Sequence, residues 1–175
     1  MREALRDLQN LRLVESEPFR GARVRGVDDS QLLAVFPVRA VLEDLAAREA
    51  AKREDRDVRP LERELEAMHR AAATHDWRTQ VTHDLGFHRA MVELAGNEAL
   101  LQSWLVLGVE VSTAFATYWT YWEQDELVAF HTPIVEAIRS GDAARAGAEA
   151  RKHVRRTERV VRRRTQALER KAAVA

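Results

Sequence analysis

Apolar residues recur three and four positions apart along most of the chain, which is the spacing that places them on one face of an α-helix. The first run consists of Leu32, Leu33, Phe36, Leu42 and Leu45. Two acids and a serine at residues 28–30 precede it and can cap a helix, because their side-chain oxygens accept hydrogen bonds from free backbone amides. Pro37 lies inside the run, so we expect a kink or a restart there, because its ring clashes with the carbonyl of Leu33.

Five further helices are predicted downstream, over residues 60–74, 79–95, 98–118, 125–139 and 142–170. Pro60 suits a first helical turn, and Gly96 and Gly141 suit helix ends. Asp142 suits the cap of the last helix. The helix over 98–118 is largely apolar, so we expect it to lie deep in the protein. The pattern predicts an all-α fold, an antiparallel bundle of about six helices.

The first 27 residues have a different character. Residues 2–10 are typical of a helix, and residues 13–15 and 22–24 are typical of two strands joined around Pro18 and Gly21. We therefore expect a small unit over residues 1–27 and a helical domain over residues 28–175.

Composition agrees with a helical protein, because apolar residues make up 46% of the chain and charged residues 32%, with only 7 Gly and 4 Pro. Cysteine is absent, which excludes disulfides and thiolate metal sites. No apolar run reaches the roughly 18–20 residues of a membrane span, and the N-terminus has no signal-peptide core, so we expect a cytoplasmic protein. Residues 151–171 hold ten basic and two acidic residues. This block is either a solvated helix face or a surface for nucleic acid or an acidic partner.

Four metal-competent side chains fall on core-facing stripes of three predicted helices. Asp84 and His88 are four residues apart and therefore share one helix face. His131 lies in a stripe with Leu127, Ile134 and Ile138, and His153 lies in one with Ala146, Ala150, Thr157 and Val160. Burying such groups without partners is costly, so they are either hydrogen-bonded core residues or ligands of one shared ion. Three imidazoles and a carboxylate suit zinc, nickel or manganese. The other histidines, His69, His75 and His83, are expected at the surface or its boundary.

The same residues carry a family resemblance. The segment DLGFH at residues 84–88 resembles the D-x-x-F-H motif of the FCD domain, the effector-binding half of FadR-subfamily GntR transcription regulators. Residues 38–43 resemble its V-R-x-x-L-E motif, and residues 131–142 resemble its H-x-x-I-x-x-A-I-x-x-G-D motif. His153 lies where the family has its last ligand. The resemblance covers about residues 30–160 and implies a divalent metal, zinc before nickel or manganese, held by Asp84, His88, His131 and His153.

Residues 1–27 are similar to part of the GntR winged helix-turn-helix. REALRDL at residues 2–8 is similar to the R-E-A-L-x-x-L of its recognition helix, and residues 13–24 are similar to its two-stranded wing. In that comparison Arg2, Arg6 and Arg23 are the expected DNA contacts. The helix that braces the recognition helix in such motifs would lie before Met1. A late start assignment, a shortened chain and a degenerate regulator all stay open.

The resemblance implies a ligand-responsive transcription regulator, not an enzyme, that acts as a homodimer on a symmetric DNA operator. A small organic acid is expected to coordinate the metal, with Arg39 as its second contact because guanidinium matches carboxylate geometry. The alternative for Arg39 is an ion pair with Glu43, one turn further on. Trp104, Thr113 and Tyr118 are either pocket walls or plain core.

Two other functions stay open. One is an effector-binding and dimerisation protein that lacks DNA binding. The other is a metal-dependent enzyme that activates water, with Glu110 as a base. The enzyme is disfavoured because the Glu-x-x-His pairs of di-iron bundles do not occur at the ligand positions.

Overall fold

The computed structural model describes residues 14–17, 21–24, 29–108 and 128–172. This part of the chain contains strands β1 (Val14–Glu17) and β2 (Gly21–Val24) and six helices. The helices are α1 (Asp29–Lys52), α2 (Arg59–Ala73), α3 (Trp77–Leu94), α4 (Glu98–Val106), α5 (Thr132–Ser140) and α6 (Ala143–Ala172). The predicted all-α bundle is confirmed.

The two strands form an antiparallel hairpin in which Val14 is opposite Val24 and Glu17 is opposite Gly21. This is the hairpin that the sequence predicts. The helix predicted over residues 2–10 lies outside the described residues.

Helix α1 runs without interruption from Asp29 to Lys52 and has Pro37 inside it. Of the kink or restart expected at Pro37, the restart is therefore absent, and the kink stays a prediction. The residues around Pro37 explain why the helix continues, since Phe36 and Ala40 are each 1% exposed and pack with Val154 and Val161 of α6. Tertiary packing on both sides of the proline outweighs its local cost.

The helices α2, α3 and α6 match their predicted ranges within two residues, but two other helices differ. The fourth ends at Val106, and Gly108 follows with a left-handed φ of 68°. The rest of its predicted range, 109–118, lies outside the described residues. Residues 128–129 are helical, a turn follows at residues 130–131, and the fifth begins at Thr132. Pro133 explains this break, because it has no N–H to continue a helix from the preceding residues and suits a first turn.

Side chains cap three helix starts. Asp76 accepts a hydrogen bond from the Thr79 amide at 3.1 Å, and Asn97 accepts one from the Leu100 amide at 3.1 Å. Asp142 accepts one from the Arg145 amide at 2.9 Å, as predicted for α6.

Helix α1 is central, since it packs along α6 and also contacts α3, α4 and α5. The largest core cluster joins α1, α2, α3, α5 and α6 through residues such as Ala47, Met68, Phe87, Ile138 and Ala150. None of the described helices is both long enough and apolar enough to cross a membrane. The arrangement directs side chains from α1, α3, α5 and α6 toward one buried region.

Candidate metal centre

The structure brings Asp84, His88, His131 and His153 together inside the bundle. Asp84 and His88 lie one turn apart on α3, His131 is the residue that precedes α5, and His153 lies on α6. All four are buried, and each offers one ligand atom within 4.8 Å of the others. The convergence expected from three separate stretches of chain is therefore present.

His131 owes its position to the turn before α5. Its carbonyl accepts hydrogen bonds from the amides of Ile134 and Val135, which begin the helix. Its ring packs edge-on against Phe87 of α3, with ring centroids 4.6 Å apart. It also lies 4.4 Å, centroid to centroid, from the ring of His153. The break at residues 130–131 thus places an imidazole between α3 and α6.

The spacing of the donor atoms suits one shared cation. Asp84 Oδ1 lies 3.0 Å from His131 Nε2 and 3.9 Å from His88 Nε2, and the two histidine nitrogens are 3.5 Å apart. Two donors that each lie about 2.1 Å from one ion, at a tetrahedral angle, are about 3.4 Å apart. Asp84 Oδ1 and His153 Nδ1 are buried and make no hydrogen bond of normal geometry within the described part of the chain. The cluster could hold a metal ion.

At Asp84, His88 and His153 the electrostatic environment favours the protonation states that metal ligands need. Burial lowers the pKa of His88 despite the opposing effect of Glu43. Burial, together with the nearby His131 and His88, lowers the pKa of His153 well below its usual value. Burial alone would raise the pKa of Asp84, but His131, His88 and Arg39 together outweigh it and the net shift is downward. Neutral imidazoles and an ionised carboxylate are the forms that coordinate a divalent ion.

A second carboxylate, Glu43 of α1, lies behind the cluster. Its Oε2 is 2.9 Å from His88 Nδ1. Its Oε1 accepts hydrogen bonds from Arg39 Nε at 2.6 Å and from Trp104 Nε1 at 3.2 Å. Burial opposes the ionisation of Glu43, but Arg39 and His88 outweigh it and hold its pKa far below the usual value. Of the two alternatives for Arg39, the ion pair with Glu43 is therefore present.

The contact between Glu43 and His88 is what sequence reasoning missed. The sequence indicates Glu43 only as the last residue of the V-R-x-x-L-E motif and as an ion-pair partner of Arg39. The available indication was a carboxylate inside the apolar run of α1, because a buried acid needs a partner. Helical periodicity does not say which helix supplies that partner.

The remaining candidates that the structure describes are not members of the cluster. His69 and His75 are exposed, and His83 is partly buried with its Nδ1 2.7 Å from Glu64 Oε2. Trp104 is fully buried, and Arg23 lies on β2 opposite Glu15. Arg2, Arg6, Glu110, Thr113 and Tyr118 lie outside the described residues.

Several basic residues of α6 have acidic partners. Arg151 bonds to Asp44 of α1 at 3.1 Å, and Lys152 bonds to Glu149 at 3.0 Å. Arg155 and Arg162 both bond to Glu158. The contact between Arg151 and Asp44 helps to fix α6 against α1, and both interpretations of the basic block stay open.

Comparison with known proteins identifies the class. Residues 34–156 match the FCD domain, and the chain belongs to the FCD domain family. A relative from Paenarthrobacter nicotinovorans, described as "Probable D-xylose utilization operon transcriptional repressor", is 36% identical over 142 residues. That match covers 81% of this chain and 63% of the relative, so the chain spans less than two thirds of the relative's length.

Two solved structures have the same fold. A transcriptional regulator GntR from Rhodococcus sp. RHA1 has a TM-score of 0.76 at 20% identity, covering 91% of this chain and 77% of that one. E. coli McbR/YncC has a TM-score of 0.78 at 18% identity, covering 93% and 83%. At these identities the likeness supports the fold alone.

Proposed function

We propose that this chain is the effector-sensing part of a GntR-type transcription regulator and that Asp84, His88, His131 and His153 bind one divalent metal ion. The observation that carries the proposal is the burial of four donor groups from three elements around one point, with Asp84 Oδ1 and His153 Nδ1 left without hydrogen bonds of normal geometry. A buried polar cluster of this kind is stable when a cation satisfies its members together. The relative described as a transcriptional repressor supports the regulatory role.

Zinc is the proposed ion, with nickel and manganese as the alternatives, because imidazole and carboxylate ligands suit all three. When bound, the ion supplies a Lewis-acidic position at which an oxygen ligand can coordinate. The residues of this chain hold the ion and exclude bulk water from it, since all four proposed ligands are buried.

The charge of the buried region favours an anionic effector. Glu43 and Asp84 are anions and Arg39 is a cation, so with neutral imidazoles the cluster has one net negative charge. A divalent ion reverses it to one net positive charge. We therefore propose a small organic acid as effector, bound at the metal and at Arg39. Sugars and sugar acids are included among the ligands to be tested because the relative from Paenarthrobacter nicotinovorans is named for D-xylose utilization.

The regulatory mechanism follows from linkage. We propose that residues 28–175 form the sensing domain, that residues 1–27 belong to a winged helix with Arg2, Arg6 and Arg23 toward DNA, and that a homodimer binds the operator. An effector that favours one arrangement of the dimer then changes operator affinity, and operator DNA changes effector affinity by the same factor. The alternative is a dimerising effector-binding protein without DNA binding, which a gel shift with operator DNA separates from the first.

The proposal is tested on purified chain. Metal content is measured by plasma mass spectrometry, and binding of small carboxylates, sugar acids and D-xylose is measured calorimetrically with metal-loaded and chelated protein. We expect about one ion per chain and carboxylate binding that requires the ion. Substoichiometric metal after saturation, or carboxylate binding that is unaffected by chelation, would contradict the proposal. Metal-dependent hydrolytic turnover would favour the enzyme instead.

A further inference from the structure

We infer that Glu43 is a positioning residue that fixes the tautomer and ring orientation of His88 for metal binding. The inference rests on the proposed metal site. Its basis is the 2.9 Å separation of Glu43 Oε2 and His88 Nδ1, two buried atoms that make no hydrogen bond of normal geometry in the described part of the chain.

The geometry selects one tautomer. A neutral imidazole has one N–H, and the ring nitrogen without it offers the lone pair. An ionised carboxylate can only accept, so Glu43 stabilises the form of His88 in which Nδ1 holds the proton. The lone pair is then on Nε2, the atom that lies 3.5 Å from His131 Nε2 and 3.9 Å from Asp84 Oδ1. Glu43 thus directs the lone pair of His88 into the cluster.

Glu43 is itself held in place by two other side chains. Arg39 Nε and Trp104 Nε1 both donate to Oε1, which leaves Oε2 for His88. Arg39, Trp104 and Glu43 are each at most 1% exposed, so water does not compete for these bonds. The carboxylate therefore connects α1 and α4 to a proposed ligand on α3. Such outer contacts orient metal-bound histidines and make them more basic.

A simpler role for Glu43 would be that of a counter-ion for the buried guanidinium of Arg39. In that role Oε1 accepts the hydrogen bond from Arg39 Nε. It does not account for the 2.9 Å contact between Oε2 and His88 Nδ1. The two roles differ in what they predict for metal affinity and for the His88 tautomer.

The variant Glu43→Gln tests the positioning role, because it keeps the shape of the side chain and removes the charge. Zinc affinity is measured by competition with a chromophoric chelator. We expect the Kd to rise by roughly 10–100-fold, the range seen when an outer-shell partner of a ligand is lost. The matched control is Glu64→Gln, whose carboxylate lies 2.7 Å from Nδ1 of His83, outside the cluster. It should leave the Kd within about twofold of the wild type, because no proposed ligand is touched.

Val161→Ala separates positioning from general stability. Val161 is 4% exposed and lies in a core cluster with Phe36 and Val154 that contains neither Glu43 nor a proposed ligand. We expect a lower melting temperature and a zinc Kd changed by less than about threefold. A folded Glu43→Gln protein that binds zinc as tightly as the wild type would overturn the inference.

A measurement on the wild type keeps the inference testable if Glu43→Gln does not fold. Long-range 1H–15N correlation spectra of the metal-free protein distinguish the two tautomers of each histidine. We expect His88 to carry its proton on Nδ1, and a proton on Nε2 would overturn the inference. If the wild type binds no metal, the proposed function fails, while the tautomer of His88 still decides whether Glu43 positions it.

Discussion

Asp84 Oδ1 lies 3.0 Å from His131 Nε2, although the two residues belong to different elements and are far apart in sequence. Both are buried, and Asp84 Oδ1 makes no hydrogen bond of normal geometry in the described part of the chain. This contact connects α3 to the turn before α5. Asp84 is also the only charged group among the four proposed ligands when their imidazoles are neutral.

Asp84→Asn is expected to weaken metal binding more than a substitution at Glu43, which contacts a proposed ligand but is not one itself. The amide keeps the size of the side chain but removes the negative charge that an ion requires. We expect the zinc Kd to rise by more than about 100-fold, beyond the roughly 10–100-fold typical of outer-shell changes. Competition with a chromophoric chelator measures it.

The control for that variant is Asp55→Asn. Asp55 is exposed and forms an ion pair with Arg53 at 2.7 Å, away from the cluster. The Asp55→Asn protein should have the same zinc Kd as the wild type. Equal zinc affinity in Asp84→Asn and Asp55→Asn would remove Asp84 from the ligand set.

Metal removal is expected to lower thermal stability. An ion that binds only the folded chain stabilises it by about 2.7 kcal/mol at a free concentration of 100 Kd. For a chain of this size that corresponds to a rise in Tm of about 5–10 °C. Differential scanning calorimetry with zinc and with chelator measures the shift. The Tm of Asp84→Asn should differ little between zinc and chelator. An identical Tm of the wild type in both conditions would be evidence against a bound ion.

The convergence of the four proposed ligands could be predicted from the sequence because each falls at helical spacing among apolar residues, and the resemblance to the FCD domain favoured metal ligands over hydrogen-bonded core residues. The spacing of Asp84 and His88 fixes a shared face on any helix. Stripes on separate helices point to one core, so His131 and His153 were expected nearby. This reasoning needs only local periodicity, and it holds even where helix boundaries are wrong.

The break before α5 and the contact between Glu43 and His88 could not be predicted in this way. The spacing of Leu127, His131 and Ile134 fits a continuous helix, yet Pro133 interrupts it. The position of the His131 side chain is therefore set by the turn before α5 and not by the face of a continuous helix. The position of Glu43 depends on how α1 lies against α3, and periodicity does not contain the angle or register between two helices.

Glu158 is expected to contribute pH-dependent stability. It is 7% exposed and accepts hydrogen bonds from Arg155 Nη1 at 2.7 Å and Arg162 Nη2 at 2.9 Å. Burial opposes its ionisation, but the two arginines outweigh this, so its pKa lies below the usual value. The unfolded chain therefore takes up the proton at higher pH than the folded chain. The stabilisation is complete above the unfolded pKa of about 4.3 and is lost as the pH falls through the folded pKa.

Glu158→Gln should accordingly reduce the free energy of unfolding at pH 7 by about 0.5–1 kcal/mol, since both arginines are partly exposed. The deficit should shrink as the pH falls below about 4. Urea denaturation at both pH values measures it, with Glu169→Gln, an exposed acid of the same helix, as the control. A deficit that stays constant with pH would indicate lost packing instead of lost charge.

Gly141 is expected to tolerate substitution poorly, because it ends α5 with a left-handed φ of 74°. A side chain in that conformation costs about 1–2 kcal/mol. Its Cβ would also lie 3.1 Å from Arg56 Nη2. Arg56 cannot move freely, since its guanidinium donates to the carbonyls of Arg53 and Arg139 and so connects the end of α1 to the end of α5.

Gly108→Ala is the matched control for Gly141→Ala. Gly108 has a similar φ of 68°, but a Cβ there would meet no atom of the described residues within 4 Å. Both variants should be less stable because alanine must adopt a left-handed φ. Gly141→Ala should lose more stability because it also displaces Arg56. Urea denaturation measures the difference, and Gly141→Asn should recover part of the loss because asparagine tolerates this conformation. Equal losses in the two alanine variants would mean that Arg56 moves aside at no cost, and the connection between α1 and α5 would then be weaker than its hydrogen bonds indicate.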